Sequence, residues 1–220
     1  MTSRPADEPA ADGEQRADGG QRADGGQRAD SGQPLRRVRA DAQRSIDALL
    51  IAAAEVFTAS GVDAPVRQIT AKAGVGAGTL YRHFPQRSDL IAAVFRHEVD
   101  SCADAAPALA ERHEPVEALT RWLLRFAEFI GTKRGLSAAL HSGDPAYDSL
   151  PSYFSQRFEP VLGELLAAAA QAGEIRSDVD PDDLLRAVAN MTLPVQDDDG
   201  HTQRMVALLI DGLRYGAQRR

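Results

Sequence analysis

The side chains best suited to chemistry stand together in one stretch of the 220-residue chain, VRQITAKAGVGAGTLYRHFPQRSDL, from Val66 to Leu90. Arg67, Thr79, Tyr81, Arg82, His83 and Arg87 are hydrogen-bond donors of the kinds that grip phosphate oxygens. Among them, just after Gly74, lie Gly76, Ala77 and Gly78, small enough to let a helix start come close to a polyanionic backbone. The glycines form G-x-G-x-G, but no strand precedes them and no Gly-Lys-Ser/Thr follows, so a nucleotide loop is dismissed. No nucleophile stands beside a base. The chemistry on offer is recognition of a phosphate backbone.

The other polar constellations are weaker. His141 is followed by Ser142 and Asp144, and a histidine at a helix end is more often a cap than a metal ligand. His97, His113 and Glu114 lack H-E-x-x-H spacing, so neither metal nor cofactor is expected. Asp178, Asp180, Asp182 and Asp183 surround Pro181, where acids suit the positive end of a helix dipole. An enzyme on a helical bundle would need a nucleophile with its base or paired carboxylates at a working spacing, and the acid cluster has the simpler explanation. Cys102, the single cysteine, cannot form an internal disulfide, and no basic residue closely follows it to activate the thiol. A reducing, cytoplasmic setting fits best.

The elements that must hold the donors follow from punctuation and apolar spacing. Ile46, Leu49, Leu50, Ala53, Val56 and Phe57 recur as one helical stripe, giving a helix from near Asp41 to Gly61. Pro65 suits the first turn of the next helix, which carries Val66, Ile69 and Ala73 on one face and stops at Gly74. A third short helix runs from about Ala77 to Phe84, and Pro85 ends it. Ser88 or a neighbour caps a fourth, reaching about Cys102. This is two short helices joined by a tight glycine turn, the arrangement that lets the second helix enter a major groove. Further helices are expected at about 115–131, 133–141, 150–173, 181–193 and 202–218, with no strands.

Charge supports this placement. The chain carries −7 overall, yet residues 36–100 hold 9 basic against 7 acidic side chains, while both flanks are net negative. A local basic face is enough to bind phosphates. Residues 1–34 contain GEQRAD, GGQRAD and GGQRAD in succession, with almost no apolar surface to offset ordering, and read as a disordered tail. No run approaches the ~18 apolar residues of a membrane span, so no membrane partner is expected.

The stretch resembles the DNA-binding domain of TetR-type regulators. The agreement lies in Ala73-Gly74-Val75, Gly78-Thr79-Leu80-Tyr81, His83-Phe84, Arg87 and Leu90, with Ala53, Phe57 and Gly61 in the preceding helix. It covers about residues 41–100. The resemblance implies that Arg67 touches a base or phosphate, that Thr79 lies on the recognition helix, that Gly78 permits close approach, and that Tyr81 and His83 grip phosphates. Arg82 joins this set as a donor near the groove. Arg87 replaces the usual lysine at the start of the fourth helix and is expected to grip phosphate too. Gly76-Ala77 stands where many members have Ser-Lys, and Ala64-Pro65 where many have a capping Thr or Ser. Arg36, Arg37 and Arg39 are either a basic arm or a solvated flank.

The resemblance further implies an all-α chain: a three-helix helix-turn-helix DNA-binding domain (36–90) after the tail (1–35), then a helical effector-binding and dimerisation domain (91–220). Trp122, Phe126, Phe129, His141, Tyr153, Phe154 and Phe158 are candidates to line a pocket for an unidentified, largely apolar effector, or else form a plain helical core. Leu184, Val188, Met191, Met205, Leu209 and Leu213 are candidates for a homodimer interface, or else belong to the chain's own core. The expected partner is double-stranded DNA with a palindromic operator, and the expected action is repression. The rival readings are a helical-bundle enzyme and a helical interaction protein whose DNA-binding unit is silent.

Overall fold

The computed structural model describes residues 33–132, 136, 139, 140, 142–192 and 200–217, and among these the side chains of all but 33–40, 132, 216 and 217. Within them every regular element is helical. The long first helix, α1 (Gln33–Ser60), starts well before Asp41. Leu35, Arg36, Arg37, Arg39 and Ala40 are good helix formers, and extending a helix already nucleated against a core is cheap. Its expected stripe is the buried one: Leu49, Leu50, Ala53, Val56 and Phe57 lie inside, with Ile46 half-buried.

Two short helices follow. Pro65, extended at φ −60°, leads into α2 (Val66–Ala73), and Gly74 closes it at φ 67°. That left-handed conformation strains any L side chain, which is why glycine stands there. The N–H of Val75 returns to the carbonyl of Thr70 at 3.1 Å, completing the tight turn. Next comes α3 (Ala77–His83), ended as Phe84 turns extended before Pro85. Gln86, rather than Ser88, is the N-cap residue of α4 (Arg87–Ala103). The Asp89 carboxylate accepts the Gln86 N–H at 2.9 Å, placing an acid in the first turn.

Helix α4 runs through the expected domain boundary at residue 90 without a break. It packs on α1 and also on two later helices, α6 (Pro115–Thr132) and α7 (Leu150–Gln171). Between α4 and α6 lies α5 (Ala105–Arg112), a helix absent from the expected spans. Only Ala106 of it is buried, so its apolar stripe is too thin to notice. The 3₁₀ turn Pro145–Tyr147 precedes α7, and α8 (Pro181–Met191) and α9 (His201–Ala217) complete the described elements. The helix expected at 133–141 falls mostly outside the described residues, although 136, 139 and 140 are helical.

Long-range polar contacts fix the later helices. The Val116 N–H at the start of α6 donates to the Glu174 carboxylate at 2.9 Å, 58 residues on, which satisfies an orphan donor and complements the dipole. The Arg176 N–H donates to the Leu213 carbonyl at 3.0 Å, tying the segment after α7 to α9. Among the described residues no helix is long and apolar enough to cross a membrane.

Candidate nucleic-acid interface

Ile69 and Leu80, both fully buried, and Phe84 join α2 and α3 to the core, with Val66, Ala73 and Val75 packed around them. This inner face turns the polar residues outwards. Arg67 on α2 and Tyr81, Arg82 and His83 on α3 are exposed, Tyr81 at 54%. Thr79 is half-buried beside them. The structure thus brings five of the expected DNA-contacting side chains onto one short unit. At Gly76 and Gly78 an added Cβ would meet nothing within 4 Å. The fold therefore does not require glycine at either position, and the space outside them is open.

Two basic residues are engaged within the chain. The Lys72 ammonium pairs with Glu55 of α1, which fastens α2 to the long helix. Arg87 is half-buried. Its Nε–H donates to the Val62 carbonyl and its Nη2 to the Ala64 carbonyl at 2.6 Å. Its guanidinium lies 5.7 Å from the centroid of the buried Phe57 ring. Sequence spacing cannot distinguish this inward fork from a phosphate-facing one.

The expected pocket residues come together, but against one another. Trp122, Phe126 and Phe158 have no exposed surface and Phe129 has 6%. Phe126 lies 5.2 Å from Phe158 and 5.7 Å from Trp122, and Phe154 is 4.8 Å from Phe158, measured between ring centroids. The Trp122 indole N–H donates to the Cys102 carbonyl at 3.1 Å, so the one polar atom of that ring is satisfied. Trp122, Phe126, Phe129 and Phe158 form a closed core, and the half-buried Phe154 packs at its edge. Surface grooves of about 500 Å³ between α1 and α4, and of about 490 Å³ beside Arg87 and Tyr147, are lined by other residues. His141 lies outside the described residues.

Tyr153 instead joins a polar clasp that residue types alone did not suggest. Its hydroxyl donates to the Asp100 carboxylate at 2.7 Å, and Arg157 donates to Asp100 at 2.7 Å and to Asp104 at 2.6 Å. Burial first, and then this hydrogen bond, raise the Tyr153 phenol above its ordinary value. Arg96 adds a bond to Ser149 at 3.0 Å. Together these contacts hold the middle and end of α4 to α7. Nearby, burial pushes the Cys102 thiol up to about 12, more strongly than Arg125 draws it down, which disfavours the reactive thiolate.

The last helices divide the interface candidates. Leu184 and Val188 are buried inside the chain and are not available to a partner. They sit four residues apart on the inner face of α8, which packs on α6 and α7. Met191, Met205, Leu209 and Leu213 are half-buried. Leu208, read in the sequence as part of the same apolar stripe, and Tyr215, which lies outside the expected set, are 64% and 65% exposed. Their seven-residue spacing puts them on one face of α9, the signal that could have found Tyr215. The acid cluster is accounted for locally: Asp180 caps α8 by accepting the Asp183 N–H at 3.0 Å, Asp182 pairs with Arg186 and Asp178 with Arg176.

Comparison with known proteins agrees with this geometry. Residues 49–94 match the family model described as bacterial regulatory proteins, tetR family, and residues 114–215 match that of the transcriptional regulator SbtR-like C-terminal domain. A TetR transcriptional regulator from Streptomyces coelicolor is 39% identical, with a TM-score of 0.68 over 77% of this chain and 98% of that one. A TetR regulatory protein from Mycobacterium vanbaalenii is 34% identical, with a TM-score of 0.63 over 80% of this chain and 99% of that one. The HTH-type transcriptional regulator SrpR of Pseudomonas putida is 31% identical over 58% of this chain, which spans 49% of that relative's length. A glycine-closed helix-turn-helix with an outward cationic and phenolic face, and matches on both sides of α4, lead to one conclusion: the chain belongs to the TetR family of transcriptional regulators.

Proposed function

We propose that the chain is a ligand-responsive repressor that binds a palindromic operator as a homodimer. The observation that carries this reading is the outward display of Arg67, Thr79, Tyr81, Arg82 and His83 on α2 and α3, within residues 36–100, where 9 basic residues outnumber 7 acidic ones while 1–35 and 101–220 are net negative. Gly78 keeps the start of the recognition helix free of side-chain bulk. One seven-residue recognition helix reads too few bases for useful specificity. Two copies about 34 Å apart on a palindrome solve that. The exposed Leu208 and Tyr215, with half-buried Met205, Leu209 and Leu213, supply apolar surface on α9 for the partner copy.

Release follows from a population shift. An apolar effector favours a state in which the closed ring core around Phe126 has opened, and this state holds the two recognition helices off operator spacing. The effector shifts the equilibrium only by its unequal affinity for the two states.

The test is a titration of purified protein with the DNA upstream of its own gene, and with duplexes selected from genomic fragments, at several salt concentrations. Sequence-preferring binding with a steep salt slope supports the reading. Binding no tighter to any selected duplex than to bulk DNA would sink it. Sedimentation of the Leu208→Glu variant tests the dimer, which should dissociate.

A further inference from the structure

The guanidinium of Arg87 does something that a phosphate contact would not need. Its fork bonds two main-chain carbonyls, those of Val62 and Ala64, which lie 25 and 23 residues earlier. Everything between those carbonyls and Arg87 is the helix-turn-helix itself: Pro65, α2, the Gly74 turn, α3 and Pro85. One side chain therefore closes the base of the DNA-reading unit. The seat is built for it. Ala64 is only 4% exposed and the Phe57 ring beneath the guanidinium 1% exposed. Val62 is half-buried, and carbonyls withdrawn even partly from water need donors; a planar fork supplies two in fixed geometry, which a lysine ammonium cannot reproduce.

We infer that Arg87 is a positioning residue: it locks the α1–α2 loop to the first residue of α4 and so sets how α2 and α3 are presented to DNA, and it is not a phosphate ligand. The inference rests on the DNA-binding reading above. The two roles have opposite signatures. A phosphate contact supports binding to every sequence and accounts for about one unit of salt slope. A positioning residue leaves the exposed charges in place, so non-specific binding survives while alignment with base edges is lost.

The experiment uses the full chain, with a duplex that the wild-type protein has selected from random sequence and an unrelated duplex of equal length. Arg87→Lys is measured first, because it keeps the charge and the apolar stem and folding is not at issue. Arg87→Ala follows, with Arg82→Ala as the control for a solvent-facing cation. Affinity is measured on both duplexes across a salt series, alongside thermal unfolding.

The expected result for Arg87→Lys is a loss of about tenfold or more on the selected duplex, with the unrelated duplex and the salt slope little changed. Arg87→Ala should lose at least as much specificity, again without a change of slope, whereas Arg82→Ala should lower both affinities and the slope. A lysine variant that binds both duplexes like the wild type overturns the inference. So do equal losses of Arg87→Ala on both duplexes with a slope smaller by about one. If the wild-type protein selects no duplex at all, the DNA-binding reading falls and this inference falls with it, an outcome distinct from the other two.

Discussion

The outer face of α2–α3 and the ring cluster of α6–α7 hold the two richest sets of candidate side chains, and they are organised in opposite ways. On α2–α3 the core is thin, and Arg67, Tyr81, Arg82 and His83 stand in solvent. On α6–α7, Trp122, Phe126 and Phe158 are sealed from it, each ring in contact with the others. A face that must meet a rigid polyanion can be finished in advance, because phosphate contacts form at an open surface. A site for an apolar molecule competes with the chain's own rings for the same space, and without ligand a core packs to high density. The first region is therefore exposed as folded, and the second is filled by its own rings.

The comparison makes predictions that separate stability from binding. The largest effect belongs to Phe126→Ala. Truncating a fully buried phenylalanine should cost about 3–5 kcal/mol, read as a lower urea midpoint. A loss under 1 kcal/mol would mean that the ring cluster is loose and a pocket is already open.

The clasp between α4 and α7 should matter less, because Asp100 and Arg157 are about a third exposed. Asp100→Asn should destabilise by about 1 kcal/mol, within the range for hydrogen bonds to charged groups after solvent screening. Raising the salt concentration should shrink the difference from wild type.

On the DNA face the pattern reverses. Arg82→Ala and Tyr81→Phe should leave the unfolding midpoint within about 0.5 kcal/mol of wild type. Each should weaken binding by similar factors across operator variants, with Arg82→Ala lowering the salt slope by about one unit. Unequal losses across variants would make these residues base readers instead.

The smallest effect at neutral pH is that of Cys102. With its folded value raised to about 12 from an ordinary 9.0, the neutral thiol adds to stability that is fully present below about pH 9. That contribution declines as pH rises towards 12, because the unfolded chain then loses the proton and the folded chain keeps it. A native thiol assay at pH 8 should find Cys102 unreactive until denaturant is added. Rapid labelling of the folded protein would show that the core beside Trp122 opens readily.

Legibility in the sequence followed locality. The limits of α2 and α3 could be read from Pro65, Gly74 and Pro85, because each fixes its own backbone or denies a neighbour its conformation. The exposure of Tyr81 and His83 followed from helical spacing once Leu80 and Phe84 were placed in the core. The early start of α1 was missed because no cap precedes Gln33, and α5 because it buries so little. Whether Leu184 and Val188 face a partner or the chain's own core stays open in the sequence, because an apolar stripe is the same whether it meets a neighbouring helix or a second chain.

By itself the sequence determined the all-helical class, the family, and which short unit carries the donors for DNA, since periodicity, turn residues and motif spacing act over a few residues. Only the tertiary structure decided where long side chains go when two destinations are in reach. Arg87 turned to the carbonyls of Val62 and Ala64, Tyr153 and Arg157 to Asp100, and Phe126 of α6 to Phe158 of α7. Those choices depend on partners 23 to 57 residues away, and a buried polar group takes whichever partner the packing brings within about 3 Å.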